Sequence, residues 1–176
     1  MDSKRLSQKD KESRGILALA VLFFLAFLLD YVSKAWIVKH VPLGEKIQII
    51  PSFFDFYHVE NRGAAFSLLS GTKVGTYVLL LLSLVALGLL FYYVFFSKRL
   101  SLAFRLPLTL IMAGNLGNAL DRLMDAHVTD FLSFHFGTYS FAIFNVADIW
   151  ICLGALGCMM FIFLESKAPI EDGVKE

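Results

Sequence analysis

Asp130 and Asp148 lie in a stretch with no basic side chain, since no Lys or Arg occurs between Arg122 and Lys167. An acid beside a cation is held ionised, whereas one without a cation keeps a proton affinity that burial can raise. Two such acids brought close together cannot both ionise cheaply, so the pair shares one proton. One carboxylate can then take a proton from water while the other donates one to a carbonyl oxygen. Two hydrated acids at an interface are the plain alternative. Asp148 follows Asn145 by three residues in "IFNVADIW", so on a helix the amide and the carboxylate share a face.

The remaining polar residues invite other readings. Asp30 precedes Lys34 by four residues, the spacing of a helical ion pair that neutralises and anchors a helix end. Asn118, Asp121 and Arg122 read as a polar patch bracing another helix end. His127, Asp130 and His135 suggest a metal site, but their spacing matches no helical ligand pair. Ser33 or Ser67 with Lys34 would make a Ser–Lys hydrolase, while HExxH and GxSxG motifs are absent. The small residues of "AGNLGNAL" and "LGALG" fit close helix packing.

Any such chemistry must be positioned by apolar elements. Of the 176 residues 57% are hydrophobic and 18 are Phe, while the charged fraction is 18%, against roughly 25% in soluble domains. The chain reads as a single integral-membrane domain, residues 1–176, of mainly α class. A net charge of +1 with no basic stripe excludes nucleic acid as a partner. Cys152 and Cys158 lie too far apart along one helix to pair and read as small buried hydrophobes.

Four segments reach the length a membrane helix needs: about residues 15–36, 74–96, 102–124 and 142–164. Basic residues orient them. Lys4, Arg5, Lys9, Lys11 and Arg14 crowd the tail 1–14, and Lys98, Arg99 and Arg105 the link between the second and third spans. Both belong in the cytoplasm, and four spans return the tail 165–176 there. The first outer loop also carries Lys39, Lys46, Arg62 and Lys73, so the asymmetry is favourable rather than overwhelming. No small-x-small cleavage site follows Leu29, so the first span reads as uncleaved. Between the spans, Ile47 to Asn61 and Val128 to Phe144 alternate in stretches rich in aromatics, the latter around Gly137-Thr138. These predict a small sheet on the outer membrane surface. On this topology Asp30, Lys34, Asn61, Gly63, Asn118, Arg122, Asp130, Asn145 and Asp148 all converge at the outer side.

The blocks "DYVSK" (30–34), "NRGAAFS" (61–67), "GNLGNALDR" (114–122), "VTDF" (128–131) and "FNVAD" (144–148) occur in this order. Together they closely resemble lipoprotein signal peptidase, the bacterial signal peptidase II family of intramembrane aspartyl proteases. The resemblance implies an enzyme of the cytoplasmic (inner) membrane, with its active site near the outer face and an extracytoplasmic β-cradle. It implies cleavage of diacylglyceryl-modified prolipoproteins before the lipidated cysteine, inhibition by globomycin, contact with membrane lipid, and a monomer using neither metal nor organic cofactor. By its pattern Asp130 and Asp148 are the catalytic pair, with Asp30, Lys34, Asn61, Gly63, Asn118, Arg122 and Asn145 at supporting or substrate-binding positions. Tyr31, where many members have Gln, and Ala126, where Gly is frequent, depart from it.

Two rival classes remain at this level. A four-span transporter would use the acids as ion sites, yet no inverted repeat is visible. A non-catalytic scaffold leaves the unpaired acids unexplained.

Overall fold

The computed structural model describes residues 2–63 and 73–167. Helix α1 (Asp2–His40) leads into strands β1 (Lys46–Ile50) and β2 (Phe54–Asn61). Helices α2 (Lys73–Phe95) and α3 (Leu102–Asp125) follow, then β3 (Val128–Phe136), β4 (Tyr139–Ser140) and α4 (Val146–Ser166). Residues 64–67 of the "NRGAAFS" block, Ser67 among them, and the tail 168–176 with Lys175 lie outside the described residues.

Three helices are long and apolar enough to cross a membrane: Gln8–His40, Val74–Phe95 and Val146–Ser166. They turn Phe24, Leu81, Leu156 and Phe163 outward, each more than half exposed, as a lipid-facing surface requires. The α1 helix, at roughly 58 Å for its 39 residues, is far longer than a bilayer core of about 30 Å. The predicted third span is present as α3, but it is more polar than the apolar stretches of the other three. It packs against α1, α2 and α4 together, and Arg105, Thr109 and Asn118 are buried in those contacts. These three polar side chains therefore face protein rather than lipid.

Local chemistry sets the ends of α3. Ser101 caps its start by accepting from the Phe104 N–H at 3.2 Å. Arg105 then reaches back to the carbonyl oxygens of Val94, Ser97 and Leu100, satisfying the frayed end of α2. Glycine lets the helices close: a Cβ on Gly114 would strike the Ala147 carbonyl, and one on Gly117 the Asp30 carboxylate. The two cysteines are free, but Cys152 is exposed and Cys158 half-buried. That corrects their expected burial.

The strands form one antiparallel sheet in the order β1-β2-β3-β4. A bulge between Phe56 and Val59 interrupts the register of β2 on β3. Gly137, at φ +64°, makes the tight turn into β4. The sheet rests on the end of α1 through Ile37, Val41 and Phe131, with Phe56 and Val146 packed around them. A second cluster, Leu19, Val94 and Met112, holds α1, α2 and α3 together. Residues 142–145, expected within the fourth span, form a non-helical link before α4 instead. Phe144 pairs with Leu132, and α4 starts only at Val146.

Candidate active site

Asp130 sits in β3 opposite Val59 of β2, and Asp148 occupies the first turn of α4. Three asparagines bind them. Asn145 caps α4: its Oδ1 accepts from the Asp148 N–H at 3.0 Å, and its own N–H donates to Asp148 Oδ2 at 3.2 Å. This reciprocal box fixes the Asp148 carboxylate while the helix dipole favours its charge. The remaining Asn145 donor, Nδ2, reaches Asp130 Oδ1 at 2.6 Å. Asn145, fully buried, therefore ties both carboxylates together.

Asn61 donates from Nδ2 to Asp130 Oδ2 at 2.9 Å. Its Oδ1 accepts from the Gly63 N–H at 3.0 Å, which decides which way the amide faces. Asn118 donates from Nδ2 to Asp148 Oδ1 at 2.8 Å. Its Oδ1 is held by Lys34 Nζ at 3.0 Å, so the ammonium turns the amide donor toward Asp148. Among the described residues neither Asp130 nor Asp148 has an ion-pair partner. Neutral amides hold both acids, so neither is locked in its ionised form as a salt bridge would lock it.

Lys34, 4% exposed, lies beneath this arrangement. Its Nζ meets Asp30 Oδ2 at 2.9 Å, the expected pair, and Asp121 Oδ2 at 3.0 Å. Asp30 Oδ1 accepts from the Ala147 N–H at 2.7 Å, joining α1 to the start of α4. Asp121 Oδ2 also accepts from the Thr129 N–H at 3.1 Å, one residue before Asp130. Sequence reasoning put Asp121 beside Arg122 as scaffold and missed this link. The available signal was helical spacing: Asn118 and Asp121, three apart, face α1 together. Arg122 turns elsewhere, donating to the Asn118 and Gly63 carbonyl oxygens.

Burial pushes Asp130 up to about 6. Hydrogen bonding from Asn61 pulls it down, the Asp148 charge pushes it up, and Asn145 and the Lys34 charge oppose the rise. A carboxyl near 6 can carry a proton in mildly acidic to neutral conditions and still release it.

The other candidates do not converge. Ser33 Oγ donates to the Asp30 carbonyl oxygen at 2.8 Å, and Lys34 is fully engaged, so these two form no Ser–Lys pair. His127 faces Glu60 at 3.7 Å and His135 meets Asp55 at 3.0 Å, so the two histidines have separate partners. Ala126 ends α3 in the left-handed conformation at φ +60°, which a Gly would adopt without strain. Tyr31 stacks on Phe27 of its own helix.

Residues 22–164 match the sequence model of the family described as Signal peptidase (SPase) II. The chain belongs to the signal peptidase II family. Among similar members, the lipoprotein signal peptidase of Clostridium tetani (strain Massachusetts / E88) is 36% identical over 146 residues, 82% of this chain and 92% of that one. That of Shewanella pealeana (strain ATCC 700345 / ANG-SQ1) is 40% identical over 156 residues, covering 86% and 90%. A bacterial membrane enzyme solved by the in meso method at 2.3 Å superposes with a TM-score of 0.78 at 26% identity, over 90% of this chain and 94% of that one. A second such enzyme, at 1.9 Å, gives 0.70 at 27% identity, over 82% and 92%. Membership makes this a peptidase, and in this signal peptidase II chain the acids and asparagines described above lie inside the matched region.

Proposed function

We propose that the chain is an aspartyl endopeptidase that removes the signal peptide from diacylglyceryl-modified prolipoproteins, cutting on the N-terminal side of the lipidated cysteine. The observation that carries this reading is the pair Asp130 and Asp148, both held by neutral asparagines and neither in a salt bridge among the described residues. With one proton on the pair, the ionised carboxylate takes a proton from water as its oxygen bonds to the scissile carbonyl carbon. The protonated carboxyl gives its proton to the carbonyl oxygen, forming a gem-diol. Collapse of that diol breaks the C–N bond as a proton passes to the leaving amine, and the pair regains its single proton. Asn61, Asn118 and Asn145 keep the carboxylates in place throughout. The chemistry needs no metal or organic cofactor, and globomycin-type inhibitors would compete for this site.

The geometry suits a monomeric, single-domain enzyme in the cytoplasmic membrane in which α3 is a fourth span. Its Arg105, Thr109 and Asn118 side chains are buried among the other helices, so its low hydropathy does not bar it from the bilayer. Both termini are then cytoplasmic, and the sheet and acids lie at the outer face. The acyl chains of a substrate stay in lipid there while its peptide reaches the acids. Cysteines added in the two tails should react with an impermeant maleimide only after the membrane is opened, whereas one placed beside Asn61 should react in intact cells. External labelling of a tail would overturn the topology.

The decisive assay follows cleavage of a diacylglyceryl-modified prolipoprotein in mixed detergent–lipid micelles across pH, with and without EDTA. A bell-shaped profile is expected, because both loss of the shared proton and gain of a second stop the reaction. For kcat/KM, which reports the free enzyme, the alkaline limb should begin near Asp130's value of about 6. EDTA should leave the profile unchanged. A chelator-sensitive rate restored by zinc would reject the dyad, and equal cleavage of the unlipidated precursor would reject the substrate class.

A further inference from the structure

A groove of about 290 Å³ lies between α1 and α3, with Lys34 and Asp121 of the network beneath the acids in its lining. Thr129 lines it, whereas Asp130, next along β3, points to the opposite face of the strand. Lys39, in the last turn of α1, and Asp125, at the end of α3, add a second cation and a second carboxylate to that lining. Tyr31 and Met124 form apolar walls and are 48% and 67% exposed on the outward faces of their helices. Among the described residues neither Lys39 Nζ nor the Asp125 carboxylate has an ion-pair or hydrogen-bond partner. Asp121 lies one turn before Asp125 with its side chain 17% exposed, and only its Oδ2 is taken, by Lys34 and the Thr129 N–H.

We propose that this groove binds one membrane phospholipid with an ethanolamine headgroup. Lys39 meets the phosphate, and the primary ammonium donates to Asp125 and Asp121. The acyl chains then run along Tyr31 and Met124 toward the bilayer interior. The volume is that of roughly ten waters, which suits a headgroup and the first methylenes rather than a whole lipid. Charge decides the class. A choline headgroup has no N–H to give two carboxylates, and a glycerol headgroup brings no cation at all. The diacylglyceryl group of a prolipoprotein has neither charge and gains nothing from Lys39 or Asp125. This inference goes beyond the peptidase reading, and its readout is binding rather than cleavage.

The test is native mass spectrometry of the purified full-length chain, with phosphatidylethanolamine, phosphatidylcholine and phosphatidylglycerol of identical acyl chains offered in equal amounts. One phosphatidylethanolamine per chain is expected to survive, favoured about tenfold over either competitor, the worth of one charge-assisted hydrogen bond. Lys39→Ala and Asp125→Ala should each reduce that preference toward parity. Asp125→Lys should turn it toward phosphatidylglycerol. None of these variants removes a protein–protein bond, so each should unfold at the wild-type temperature. Equal retention of the three lipids by the wild type would overturn the proposal, as would a preference that survives both alanine substitutions.

Discussion

Asp130→Asn and Asp148→Asn are each expected to reduce prolipoprotein cleavage by at least about 10³-fold, the order supplied by a positioned acid or base. Asn cannot exchange a proton at neutral pH, so either substitution removes one half of the proposed shared-proton pair. The loss should fall on kcat, because Asn keeps the shape that faces the substrate. Stability should move differently. The raised proton affinity of Asp130 means that its contribution is complete below about pH 4 and is lost as pH rises through about 6. At pH 7 the ionised group therefore costs the folded state about 3 kcal/mol. The amide of Asp130→Asn avoids that cost and loses only one of the two hydrogen bonds from Asn61 and Asn145, worth about 1 kcal/mol. The Asp130→Asn protein should thus unfold no lower than wild type at pH 7 while being inactive. Near-wild-type turnover in either variant would sink the aspartyl mechanism.

Lys34→Ala is expected to produce the largest loss of stability. It leaves Asp30, fully buried, and Asp121 facing each other without the ammonium that both contact. Removing one member of a buried ion pair costs about 3–5 kcal/mol, chiefly through the charge left behind. For a chain of this size the unfolding midpoint in detergent should fall on the order of 10 °C. Cleavage should fall as well, since Asn118 loses the contact that turns its donor toward Asp148. The double variant Lys34→Met with Asp30→Asn should recover part of the stability but not the activity, because it removes one of the two orphaned charges without restoring the Asn118 orientation. A midpoint for Lys34→Ala within a degree or so of wild type would mean that the network carries no such weight.

The apolar helices α1, α2 and α4 were legible in the sequence because their signal is local: a run of apolar residues must be helical to satisfy its backbone in lipid. The two acids were legible for a related reason, as the lack of any Lys or Arg from 123 to 166 is a property of composition. The pair Asp30 and Lys34 followed from helical spacing alone. Other features depended on contacts between distant segments. α3, read as the third span at residues 102–124, is more polar than the other three, and only its burial among them explains how its Arg, Thr and Asn side chains are accommodated. The start of α4 moved to Val146 because Phe144 pairs with β3, a partner that no local pattern names. Asp121 lies beside Arg122 in the chain yet bonds Lys34 of α1 and the backbone of β3. Asn145 was placed next to Asp148 by helix geometry, but its bond to Asp130 exists only because β3 is laid against the cap of α4. Spacing along one helix is set by covalent geometry and can be counted from the chain. The meeting of Asp130 and Asp148 through Asn145 is set by sheet register and helix packing, which come into being only when the segments assemble.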